Sequence, residues 1–369
     1  MIALPFFKAG TELHVLQKAS PPSCSVCLIG SWTYFLRSRS AAVCLPSERQ
    51  FLMNATERGI REQFSLWNKV DMRDVHPDPE AVTVVVGCGT SVHIADSIAA
   101  SLNANSAFSR AVAGNEWTRR PQDYVPPSIR PNILALSRSG ESTETVAAAV
   151  ESRRKGLYVT AFTCAEGASL EKNADETILA ETHAEEGIVM TASASLMLLM
   201  GLRYAGISVT PETTAAAETL LAEADPQLTP LLEGRSHFVF LGAGALYGVA
   251  REGSLKLQEM SLSQTEAHHP LEYRHGPISL IDDRSLVVFL YHPDTLEEES
   301  ILAKDLMAKG ARVLGIGGPG TVSLSVSEGA DVRPLVVLPV LQLFGEYVAR
   351  SKGLDTLAPR HLTKVVTIA

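Results

Sequence analysis

The stretch LSRSGESTET, residues 136–145, places Ser137, Ser139, Ser142 and Thr143 around Gly140, directly before the helix-like run VAAAV. The N–H groups of a helix's first turn, with the positive end of its dipole, favour an anion. A glycine lets the backbone approach closely, and the hydroxyls add donors. A dianionic phosphate monoester suits such a cradle. Capping a helix takes one hydroxyl, so four exceed that need. A second loop, GCGTS at 87–91, offers Thr90 and Ser91 to the same ligand.

The elements that must position these loops are legible as alternating strands and helices. VTVVVG (82–87), NILALS (132–137) and YVTAFT (158–163) are continuous apolar runs, each followed by a helical segment or turn. Such runs mark strands buried on both faces of a parallel sheet, and their alternation with helices predicts an α/β fold. The order then repeats in FVFLGAG (238–244), LVVFLY (286–291) and RVLGIG (312–317). Equivalent positions are 155 residues apart at Gly87 and Gly242, and 154 apart at Leu136 and Leu290 and at Val159 and Val313. Near-constant spacing predicts a duplication. The cradle should lie beyond the carboxyl ends of the first set of strands. The second half has YHPDTLE where the first has SRSGEST, so one half carries the anion site and the other supplies different groups. Gly87 and Gly89 begin a G-x-G, but Val92 stands where a dinucleotide fingerprint needs glycine, and Tyr247 does so after Gly242 and Gly244. A nicotinamide cofactor is therefore not expected.

Upstream, Asn54 or Thr56 can cap a helix carrying Ile60, Phe64, Leu66 and Trp67 near one face. The folded part is expected to begin at Met53, with a first unit over 53–230 and a second over 231–369. Residues 1–52 show no sustained periodicity and read as an irregular extension, dispensable for folding and turnover. They hold three of the five cysteines, Cys24, Cys27 and Cys44. Cys24 and Cys27 form a lone C-x-x-C without the second pair a zinc site needs. The apolar piece at 24–36 is too short to cross a membrane, and its flanks fit a secretory signal poorly. An odd cysteine count favours a reducing compartment, hence the cytoplasm. Hydrophobic residues make up 46% and charged residues 20%, with a net charge of −9. That balance fits a globular protein and disfavours nucleic acid as a partner. His268, His269 and His275 lack metal-ligand spacing, so no metal is expected.

GCGTS, SRSGEST, EGSLKLQEM (252–260), YRHGPISLID (273–282) and the tail PRHLTKVVTI (359–368) together resemble the SIS (sugar isomerase) family. The resemblance covers residues 53–369 and is strongest to the double-SIS isomerase half of glucosamine-6-phosphate synthase and its stand-alone relatives. EEGIVMTAS (185–193) and LEYRHGP (271–277) look most like the galactosamine-6-phosphate deaminase/isomerase group, also called tagatose-6-phosphate ketose isomerase-like proteins. The resemblance implies two duplicated SIS subdomains, each a parallel sheet flanked by helices, and a homodimer.

It also assigns roles. Glu259 matches the base that moves a proton between C1 and C2, His275 the ring-opening histidine, and Lys364 the lysine that meets the open-chain carbonyl. Thr90, Ser91, Ser137, Ser139 and Ser142 match the phosphate loops. Arg138 stands where the synthase has glutamine, adding a charged phosphate donor if it points inward. MTASAS (190–195) lacks the synthase lysine, which leaves the contacts to C2 and C3 undefined. The implied activity is conversion of galactosamine or glucosamine 6-phosphate to the ketose 6-phosphate with release of ammonia. Two other enzyme activities stay open: simple aldose–ketose isomerisation, and deglycation of a phosphorylated Amadori product. A non-catalytic phosphosugar sensor would need the cradle but not Glu259, His275 and Lys364.

Overall fold

The six apolar runs fold as the central strands of two parallel sheets. The computed structural model describes residues 53–366 except 73, 74, 79 and 106. Expectations about residues 1–52, including Cys24, Cys27 and the piece at 24–36, lie outside the described residues. The first sheet contains β1 (Thr83–Gly87), β2 (Ser109–Ala113), β3 (Asn132–Ser137), β4 (Val159–Thr163) and β5 (Glu176–Leu179). The second contains β6 (His237–Gly242), β7 (Thr265–His268), β8 (Ser285–Leu290), β9 (Arg312–Ile316) and β10 (Val322–Leu324). Their orders are the same, β2-β1-β3-β4-β5 and, read in the same sense, β7-β6-β8-β9-β10. The duplication holds residue by residue. Leu136 pairs with Phe162 across β3 and β4, and Leu290 with Ile316 across β8 and β9, each partner 154 positions on.

The helices of the first half are α1 (Ala55–Glu62), α2 (Phe64–Trp67), α3 (Thr90–Ala104), α4 (Gly114–Arg119), α5 (Thr143–Arg154), α6 (Ser169–Lys172) and α7 (Ala192–Tyr204). After them come α8 (Pro211–Leu231), α9 (Ala245–Ser261), α10 (Leu296–Ala308) and α11 (Arg333–Ser351). Asn54, not Thr56, is the cap of α1; its Oδ1 accepts from the Glu57 N–H at 2.8 Å. Strand alternation sends Val84 and Val86 outward to a cluster with Ala148 and Ala149 of α5. Val85 turns inward to a core that also holds Phe238, Phe240 and Val288 of the second sheet. Ile94 and Ile98 of α3 and Val249 and Leu257 of α9 fill the space between the sheets. Leu302, Ala303 and Leu306 of α10 cover the outer face of the second sheet.

The crossing of α3 and α9 positions the site. Ser97 Oγ donates to the Ala245 carbonyl at 2.7 Å, Asp96 pairs with Arg251, and Thr90 Oγ1 donates to Glu252 Oε1 at 3.1 Å. Those pairs run in opposite senses along the two helices, so α3 and α9 are antiparallel. They touch backbone to backbone at Gly248, where a Cβ would stand 2.5 Å from the Ser97 nitrogen and 2.6 Å from the His93 carbonyl. Because α9 starts at the carboxyl edge of the second sheet, its far end arrives at the carboxyl edge of the first.

Candidate active site at the carboxyl edge of the first sheet

β1 and β3 are hydrogen-bonded neighbours, so the chains leaving them share one edge. Gly89 turns the chain into α3 at φ +55° and ψ −125°, and its counterpart Gly244 turns into α9 at φ +55° and ψ −130°. L side chains rarely adopt that conformation, which explains the second glycine of each G-x-G without a dinucleotide. Gly140 sits at φ +64°, and a Cβ there would meet the Ala168 Cβ at 2.4 Å. Around it the loop closes on itself. The Gly140 N–H donates to Ser137 Oγ at 3.1 Å, Ser137 Oγ donates to Ser142 Oγ at 3.4 Å, and the Glu141 N–H donates to Ser139 Oγ at 3.2 Å. Ser142 leads into α5 without a side-chain cap bond. The helix start therefore keeps donors that have no intrahelical partner. Of the other hydroxyls, Thr90 is engaged with Glu252 and Ser91 Oγ points to Met197 Sδ at 3.7 Å.

Glu252, Lys256 and Glu259 stand at i, i+4 and i+7 on α9, so one face carries all three. Glu252 and Lys256 are fully buried. The Lys256 ammonium lies 3.5 Å from Glu252 Oε1 and donates to Glu259 Oε2. Burial opposes its charge, but the two carboxylates outweigh burial and hold the Lys256 pKa above its ordinary value. Glu259 is the member of the group that reaches solvent, at 21% side-chain exposure. The second oxygen of Glu252 has no hydrogen-bond partner and lies 3.8 Å from His93 Nδ1, which also has none. Sequence reasoning missed Glu252 and His93. The three-residue spacing on α9 was a visible signal for Glu252; its contact with Thr90, 162 residues away, was not.

Arg138 is 8% exposed. Its guanidinium donates to the carbonyls of Gly187, Ile188 and Lys364, each at 3.0 Å. The Lys364 ammonium donates to the Glu186 carbonyl at 2.8 Å. The tail reaches the cradle, where the Thr143 N–H donates to the Val366 carbonyl at 3.5 Å. Thus Thr90, Ser137, Ser142, Arg138, Lys364 and, through Glu252, Glu259 gather at one edge. His275 does not join them. It follows β7 at the carboxyl edge of the second sheet, where His269 stacks on Tyr247 at the start of α9. Glu259 is fourteen residues along that helix, about 21 Å from its start at 1.5 Å per residue. The His275 imidazole is exposed and takes no hydrogen bond among the described residues. Also among them, no group of three or more His, Cys, Asp or Glu side chains is placed to hold a metal ion, and no helix is long and apolar enough to cross a membrane.

The second half fills its matching helix start with a carboxylate of its own. Glu299, 1% exposed, accepts from the His292 N–H at 2.9 Å and from the Thr295 hydroxyl at 2.8 Å. Burial pushes its carboxyl up to about 6, against those hydrogen bonds. A raised value means the folded state holds its proton more tightly, so this group stabilises the fold below about pH 4.5 and loses that contribution as pH rises through about 6. Glu299→Gln does not titrate. Its unfolding free energy relative to wild type should therefore rise by about 2 kcal/mol between pH 4 and pH 8. Urea melts across that range check this; a pH-independent difference contradicts it.

Comparison with known proteins accords with this geometry. The SIS domain family matches residues 82–204 and 231–329, together more than half of the chain. This chain belongs to the SIS domain family. The two matched segments of this SIS protein contain all ten strands of its two sheets. An isomerizing glutamine–fructose-6-phosphate aminotransferase from Clostridium tetani is 30% identical over 265 residues, 64% of this chain and 44% of its own. The enzyme of that name from Idiomarina loihiensis is 29% identical over 324 residues, 80% of this chain and 53% of its own. The SIS protein thus spans about half the length of the curated relatives it matches. Among solved structures, a glucosamine-6-phosphate deaminase from Thermotoga maritima superposes with a TM-score of 0.75 and 29% identity, over 85% of this chain and 100% of that one. A tagatose-6-phosphate ketose/aldose isomerase from Escherichia coli gives 0.72 and 25%, over 86% and 96%.

Proposed function

We propose that this SIS protein converts a hexosamine 6-phosphate, of galactosamine or glucosamine, to the ketose 6-phosphate and ammonia. The Thr90–Glu252 hydrogen bond carries this reading, because it joins the anion cradle to the acid–lysine–acid face of α9. The phosphate sits at the start of α5, held by backbone N–H groups, Ser139 and Ser142. Once the sugar ring is open, Glu259 takes the proton from C2 and returns it to C1. The C2 amine becomes an imine, water adds to it, and ammonia leaves. One water enters for each ammonia released. Lys256 holds the Glu259 carboxylate in place through their ion pair, and Lys364 faces the open-chain carbonyl. His275, which opens the ring, comes from a second copy in a homodimer; its place beyond β7, at the opposite end of α9 from Glu259, supports that arrangement. Likeness to the Thermotoga maritima deaminase, over the whole of that chain, supports release of nitrogen.

The test is ammonia release from glucosamine and galactosamine 6-phosphates, with fructose and tagatose 6-phosphates alongside. Ammonia from a hexosamine phosphate is the expected result. Ketose–aldose interconversion without ammonia would favour simple isomerisation, and binding without turnover a sensor. The cradle has its own check. Ser139→Ala with Ser142→Ala should raise KM about tenfold or more and leave kcat within about threefold, because a phosphate contact serves ground and transition states alike. An unchanged KM removes the phosphate from this loop.

A further inference from the structure

We propose that Arg138 is a positioning residue that seats the C-terminal segment, and with it Lys364, against the cradle, rather than a ligand of the phosphate. Its planar fork has five N–H donors, and three hydrogen bonds go to main-chain carbonyls. Two of those carbonyls, Gly187 and Ile188, lie in the segment before α7; the third is that of Lys364. The charge is balanced within the same cluster. Glu186 Oε2 lies 3.8 Å from the guanidinium, and both side chains are buried.

Glu186 is itself fixed. Its carboxylate accepts from the Thr191 N–H at 2.6 Å, the Ser193 N–H at 3.0 Å and the hydroxyls of Thr191 at 3.1 Å and Thr182 at 2.9 Å. An anion there also suits the start of α7. Lys364 is consequently gripped at both ends. Arg138 holds its carbonyl, and the Glu186 carbonyl holds its ammonium. Among the described residues from 361 to 366, one other hydrogen bond reaches the body of the protein, the long Thr143–Val366 contact of 3.5 Å. The Arg138 bond at 3.0 Å and the Lys364–Glu186 bond at 2.8 Å are therefore the two short tethers of this segment, and Arg138 alone ties it to the cradle loop and the segment before α7 together. A guanidinium with three of its five donors on main-chain carbonyls and its charge matched by a buried carboxylate is already committed within the fold. Satisfying those carbonyls elsewhere would be needed before it could turn away.

The catalytic part of this inference rests on the reaction proposed above; the tether itself does not. Arg138→Met should release the already exposed segment from its anchor, so that limited trypsin digestion after Arg360 and Lys364 removes the C-terminus about tenfold faster than in wild type. With the sugar phosphate that wild type turns over, the same variant should lose about 10²-fold in kcat, as expected for a misplaced reacting group, while KM moves less than about threefold. Arg138→Lys should recover part of both effects, because an ammonium restores a donor and the charge but not the fork. Arg138→Gln, which keeps a neutral donor, provides the same measurements if the Met variant does not fold. A KM raised tenfold or more at unchanged kcat, with the tail as resistant to trypsin as in wild type, would overturn the proposal and make Arg138 a phosphate ligand. Should wild type act on none of the sugars, the functional reading fails, and the trypsin comparison still decides the tether.

Discussion

Glu259→Gln should reduce kcat by about 10²- to 10⁴-fold, the usual contribution of a positioned general base, with KM for the sugar phosphate little changed. Glutamine keeps the volume and one acceptor oxygen beside Lys256, whose other partner, Glu252, remains 3.5 Å away. What is lost is the ability to take a proton. The direct measurement is solvent deuterium entering C1 or C2 of the product, followed by NMR. Uptake at the wild-type rate would remove Glu259 from the proton transfer and return it to the role of a simple ion-pair partner.

Lys256→Met should cost about 3–5 kcal/mol of stability, because one cation neutralises two carboxylates and its removal strands them. Glu252 is the severe case, being fully buried. Urea denaturation would read the loss as a lower midpoint with an unchanged slope. Glu252→Gln added to Lys256→Met should restore a sizeable part, since it deletes the more deeply buried stranded charge. If the double variant is less stable than the single one, charge burial is not the cause. The sign with pH is also fixed. Lys256 has a pKa raised above 10.5, so its contribution is complete below that value and fades only as pH rises through the higher folded value.

The strands that sequence alone locates are the six with neighbours on both sides in their sheets. TVVVG, NILALS and VTAFT read as strands because both faces are covered and almost every residue is apolar. The four that escape it, β2, β5, β7 and β10, are the outermost strands of the two sheets. Their sequences, SRAVA, ETIL, TEAH and VSL, are short and partly exposed, and nothing in them outweighs a loop. The site divides in the same way. The hydroxyl-rich loop and its glycine are local features, visible in ten consecutive residues. The Thr90–Glu252 contact and the direction of Arg138 depend on how distant segments meet, and residue type does not encode that. Arginine in a phosphate-binding loop invites one reading, and only the carbonyls of Gly187, Ile188 and Lys364 supply the other.

The backbone contact at Gly248 turns the crossing of α3 and α9 into a ruler. With no room for even a methyl group between that residue and Ser97, neither helix can slide along the other without lifting off it. One helix begins beside the cradle and the other carries Glu259 near its end, so this single point sets the span from the cradle to the carboxylate. A sugar phosphate one carbon shorter than a hexose would leave its C2 short of that carboxylate by about 1 Å, and misplacement on this scale costs about 10²-fold in rate. On the proposed reaction, chain length would then be set by the distance between two helices.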